Sequence, residues 1–66
     1  MHLTLDQWKT FTAKFLTDRG VDVQSGDWTD IKIVIHHNAG YQGISKRFLL
    51  MAAQLIRDEN ILENQL

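Results

Sequence analysis

The stretch from Ile44 to Ile56, I-S-K-R-F-L-L-M-A-A-Q-L-I, constrains this chain most. It is the longest strongly apolar run and is rich in good helix formers. Ile44, Phe48, Met51, Ala52 and Leu55, with Leu62 beyond, recur at helical spacing. The spacing predicts a helix from Ile44 to Ile61 or Leu62 on which the other elements pack. Its apolar arc is wide: Leu49 and Ile56 also fall on it, and Leu50 and Ile61 lie beyond it. Neighbouring helices on several sides would cover such an arc. A second copy of the chain would cover it too.

That second solution matters because the chain is short. A domain of 66 residues buries only about 60% of the surface its unfolded form exposes. Small domains often add disulfides, a metal or a partner. The chain has no cysteine, which excludes disulfides and thiolate metal sites and fits a reducing compartment. Self-association is then the expected source of extra burial. A hydrophobic content of 44% suits one globular domain over residues 1–66 and not a disordered chain. No apolar span has transmembrane length and no export-leader pattern stands at the start, so the expectation is a cytoplasmic chain with no membrane role.

Before this helix the chain reads in two parts. Thr4-Leu5-Asp6-Gln7 is a helix start, with Thr4 and Gln7 placed as a capping box and Leu3 and Trp8 at the staple positions. Leu5, Trp8, Phe11, Thr12, Phe15 and Leu16 share one face, and Gly20 fits the stop, so a helix is expected over residues 5–19. Val21 to Gly26 is a connector. Asp27 to Ala39 admits two readings. As a helix it has Asp27 as cap, histidines near its end and Gly40 as stop, with Ile33 stranded on the polar side. As a strand it has four β-branched residues within Ile31–His36. The punctuation at both ends favours the helix. The expected fold is an all-α, three-helix domain with a long apolar C-terminal helix. The alternative is α-β-β-α, with residues 21–24 and 31–36 as a two-stranded ribbon.

The net charge is −1, but it is distributed unevenly. Residues 1–30 carry −2, residues 31–57 carry +4 and residues 58–66 carry −3. A basic centre between acidic ends points to an anionic partner. The plainer reading is that the acidic ends fold back and neutralise it. Lys46 and Arg47 stand in the first turn of the third helix, and Asp58, Glu59 and Glu63 stand in its last turns. The helix dipole disfavours both placements.

Gly40-Tyr41-Gln42-Gly43-Ile44-Ser45-Lys46-Arg47 is the richest local constellation. A glycine turn, free N–H groups, a hydroxyl and two cations at a helix start have the physics of an anion site. The spacing is neither a Walker loop nor G-x-G-x-x-G. An ordinary helix–helix turn accounts for the same residues. On a helix-turn-helix template, Ala39 and Gly43 take the small-residue and turn-glycine places and Ile44, Leu49 and Ala52 face inward. Ser45, Lys46, Arg47, Leu50, Gln54 and Arg57 would then face outward. Asn38 and Gln42 depart from that template, which expects apolar residues there. A double-stranded-RNA-binding end shows a similar glycine turn, Ser-Lys-Arg and Ala-Ala. Here the Ala pair is out of step, and residues 20–44 are too short for three strands.

Catalytic sets are absent from the pattern. His36-His37 are adjacent and point apart, without the i,i+4 spacing of a helical zinc pair, so no metal and no cofactor are expected. Trp8, Phe11, Phe15 and Trp28 sit at core spacing. The functional expectation is a small non-catalytic interaction or regulatory protein, a homodimer that binds a macromolecular partner through Ile33, Leu50 and Ile61. The alternative is a nucleic-acid-binding regulator that uses residues 40–57, with Ser45, Lys46, Arg47, Gln54 and Arg57 on the anion.

Overall fold

The computed structural model describes the backbone of residues 2–40 and 43–65, and side chains through residue 63. Three helices form: α1 (Leu5–Thr17), α2 (Trp28–Asn38) and α3 (Lys46–Gln65). The all-α expectation holds. Among the described residues there is no strand, so the ribbon alternative is discarded. Tyr41 and Gln42, part of the glycine turn, lie outside the described residues.

Helix α1 starts where its cap chemistry dictates. The Thr4 hydroxyl accepts from the Gln7 N–H at 3.1 Å, and the Thr4 N–H donates to Gln7 Oε1 at 2.9 Å. This is the reciprocal capping box. The helix ends two residues earlier than expected, in a Schellman turn: the Val21 N–H donates to Leu16 O and the Gly20 N–H to Thr17 O. Gly20 takes a φ of +82° there, a conformation that side-chain-bearing residues rarely adopt.

Helix α2 settles the ambiguous stretch. The Asp27 carboxylate accepts from the Thr29 and Asp30 N–H groups at 2.8 and 3.3 Å. Those bonds satisfy orphan donors that a strand would leave to a partner. Ile31, Ile35 and Ala39 are buried on one side, Trp28 and Val34 pack beside them, and Ile33 is half exposed. β-Propensity lost because three turns of α2 could bury one apolar stripe, while a lone strand had no neighbour to pair with.

The segment between α1 and α2 is irregular but well bonded. Asp22 Oδ1 accepts from the Gln24 N–H at 2.8 Å, and the Gly26 N–H donates to Asp22 O at 2.8 Å. A Cβ on Gly26 would stand 2.5 Å from that same carbonyl oxygen. Val23 is buried in the core from this segment. Arg57 of α3 locks it: Nη1 donates to Val23 O at 3.1 Å and to Gly26 O at 2.7 Å.

The core joins Phe15, Leu16, Val23, Ile31, Ile35, Ala39, Leu49 and Ala53. Helix α3 packs mainly on α1 and less on α2. It is the longest helix, but its sequence is as polar as it is apolar. Its buried face keeps Leu49 and Ala52 of the expected one and adds Ala53. Leu49, Ala52 and Ala53 are buried, whereas Phe48, Met51 and Leu62 are exposed. The small Ala52 and Ala53 allow close approach, so the core side of α3 is set by the alanines and Leu49, not by the largest side chains. Helix α3 begins at Lys46, two residues after the expected start, and Ser45 Oγ accepts from the Phe48 N–H at 3.4 Å.

Candidate functional site

The first turn of α1 and the first half of α3 together carry an apolar face. Leu5 is 49% exposed, Phe48 44% and Met51 41%. Trp8 is half-buried between them and the core. Its ring lies 5.3 Å from that of Phe48, tilted by 34°, and meets Phe11 edge-on at 5.8 Å. Such aromatic arrangements hold a surface in shape. Leu3 and His2 complete a shallow depression with Leu5, Trp8, Phe48 and Met51. A second depression runs along Leu3, Trp8, Phe11, Ile44 and Phe48. Large apolar side chains gathered on a small chain mark a contact surface, whereas single exposed ones need no explanation.

An ion pair joins the same two helices. Lys9 Nζ donates to Glu59 Oε1 at 2.8 Å and lies 3.5 Å from Asp6 Oδ1. The hydrogen bond to Glu59 holds the Lys9 ammonium above its ordinary 10.5. Lys9 thus ties α1 to the later turns of α3.

The expected anion site is only partly assembled. Ser45 is half-buried and occupied with the Phe48 N–H. Lys46 is half-buried, its stem lying where a Cβ on Gly40 would meet it at 3.1 Å. Arg47 is exposed. Gln54 is exposed and donates to Asp58 Oδ1 at 2.9 Å. Arg57 does not face outward: it is half-buried, engaged with two carbonyls, and its guanidinium carbon is 5.7 Å from the centre of the Trp28 ring. A guanidinium with free carbonyls in reach is better satisfied there than in solvent. Leu50 also departs from the outward placement, for it packs half-buried against the core.

The three residues expected to bind a partner lie on two helices and differ in exposure. Ile33 is 50% exposed on α2 and Ile61 is 54% exposed near the end of α3, while Leu50 is held by the core. Among the described residues the acidic end forms no ion pair with the basic centre either. Among the described residues neither Lys46 nor Arg47 pairs with Asp58, Glu59 or Glu63; Glu59 takes Lys9 instead. His36 and His37 are exposed, and among the described residues no cluster of three or more metal-ligating side chains forms. No helix among them is long and apolar enough to cross a membrane.

Trp8 packs against the core as its spacing predicts, whereas Leu5, Phe48 and Met51, on apolar faces by spacing, are exposed. For Phe48 and Met51 the signal is the excess width of the α3 apolar arc, since three short helices cannot enclose all of it. Searches against protein-family models, curated proteins and solved structures find no match.

Proposed function

We propose that the protein is a small non-catalytic interaction module that acts by docking a macromolecular partner, a protein, on the face made by Leu5, Trp8, Phe48 and Met51. The observation that carries this reading is the gathering of four large apolar side chains from two helices at one surface. Burial of such surface on association yields roughly 25 cal/mol per Å² before the costs of ordering. The reading includes self-association, and the cysteine-free sequence suits a cytoplasmic setting.

A capture experiment with nuclease treatment tests it. Tagged wild-type protein and Met51→Glu are compared in extract from the cell of origin. The expected result is a protein, which includes the untagged chain itself, retained by the wild type after nuclease and lost with Met51→Glu. Retention that nuclease abolishes would favour the nucleic-acid reading built on Ser45, Lys46 and Arg47. Equal retention by both proteins would remove this face from the account.

A further inference from the structure

The outer surface of α3 carries charge of both signs. Arg47 stands exposed at the helix start, and Asp58 and Glu63 stand exposed near its end. Among the described residues none of these three forms an ion pair within the chain. Arg47 sits in the first turn of α3 and Glu63 in its last, each at the end where the backbone dipole disfavours its sign.

The apolar residues between them are arranged just as openly. At about 100° per residue, Phe48, Leu55 and Leu62 fall on one line with Met51 beside it, and Arg47 and Asp58 share one flank. Leu55 is half-buried yet does not pack against the core cluster. Past Asn60 every described side chain is exposed, and Leu62 reaches 62%.

We propose that this surface docks a second copy of the chain, α3 against α3 in antiparallel sense, about a two-fold axis near Leu55. This rests on the interaction reading above and names its partner. The charge order of α3 is the argument. An antiparallel copy brings the basic start of one helix to the acidic end of the other, at both ends of one interface. A parallel copy brings Arg47 level with Arg47 and Asp58 level with Asp58, and like charges repel. A two-fold axis makes the surface self-complementary, so one helix supplies both halves. Phe48 and Leu62 lie seven residues either side of Leu55, about 10 Å along the axis. The exposed Leu62 of one copy therefore covers Phe48 and the neighbouring Leu5 of the other. Arg47 and Asp58 of the facing copy share a flank about 8 Å apart along the axis, a gap that an arginine side chain spans.

Sedimentation equilibrium on the full chain, from about 10 μM to 1 mM, reads the association. The wild type is expected to dimerise. Arg47→Glu and Asp58→Arg should each weaken the dimer at least about fivefold, because two symmetric surface pairs are reversed. The combined variant should recover wild-type association, since it restores opposite signs across the axis. Circular dichroism confirms that each variant is folded. A spin label on Glu63→Cys, the only cysteine in that variant, reads the orientation. Antiparallel helices hold the two labels about 24 Å apart along the axis, and parallel ones about 10 Å. A monomer throughout, additive weakening in the combined variant, or the short distance would each overturn the proposal. A monomer that still loses a nuclease-resistant partner on Met51→Glu would overturn the second copy and leave the interaction reading standing.

Discussion

Among the described residues the buried Thr12 hydroxyl has no hydrogen-bond partner. A buried donor left unpaired costs about 1–3 kcal/mol, and valine has the same shape without it. Thr12→Val should therefore raise stability by about 1 kcal/mol in denaturant unfolding, unlike most core substitutions. Arg57 works in the opposite direction. Its guanidinium holds Val23 O and Gly26 O together, so Arg57→Ala should cost about 2 kcal/mol, as bonds to a charged group usually do. Lysine presents one point charge where two carbonyls need a fork, so Arg57→Lys should recover little of that loss. Asp22 adds a pH dependence. Hydrogen bonds from the Gln24 and then the Ser25 N–H hold its carboxyl below the ordinary 3.8. Its folded-state value lies below its unfolded one, so its contribution is present above about pH 4 and is lost as pH falls through the folded value. In Asp22→Asn, which keeps an accepting oxygen, thermal midpoints should fall less steeply below pH 4 than in the wild type. None of these three roles was legible in the sequence. Spacing places Thr12 on the apolar face and Arg57 on the outer one, but neither the unpaired hydroxyl nor the carbonyls that Arg57 holds can be read from it.

At the scale of elements, the caps and the inner faces of α1 and α2 were legible, and the inner side of α3 only in part. The Thr4–Gln7 box and the Asp27 cap are local chemistry, complete within four residues, so the starts of α1 and α2 follow from sequence. Ile33 is likewise stranded by the period of α2 alone. Which side of α3 turns inward depends on α1 and α2, and spacing reports that only in part. The largest apolar residues suggest Phe48 and Met51, whereas the structure buries Leu49, Ala52 and Ala53. One comparison tests that assignment. Leu49→Ala should lower stability by about 3 kcal/mol, within the range for truncating a buried leucine. Met51→Ala, at a surface position, should change monomer stability by less than about 1 kcal/mol. Similar losses at both positions, measured by urea unfolding at low protein concentration, would return Met51 to the core.

For the whole molecule, the decisive feature is what three helices leave uncovered. The core closes over α2 and the inner side of α3, and the outer side keeps Phe48, Met51 and Leu62 in solvent between charges of opposite sign. The uneven charge was visible in the sequence, but the partner of each charge was not: Lys9 reaches Glu59 across 50 residues, and Arg47 forms no ion pair among the described residues. Removing the cations separates the two roles. Lys46→Gln with Arg47→Gln should leave the monomer as stable or slightly more so, because like-signed charge leaves the positive helix end. The same double variant should weaken self-association. A folded monomer losing about 1 kcal/mol would mean instead that these cations pair within the chain. The most direct test of the account is a dilution series of amide spectra on the isotope-labelled wild type, from millimolar to micromolar concentration. The account predicts concentration-dependent shifts at Leu5, Trp8, Arg47, Phe48, Met51, Leu55, Asp58 and Leu62, with Ile33, His36 and His37 unmoved. Spectra that do not change with dilution, or shifts gathered on the outer face of α2, would contradict it.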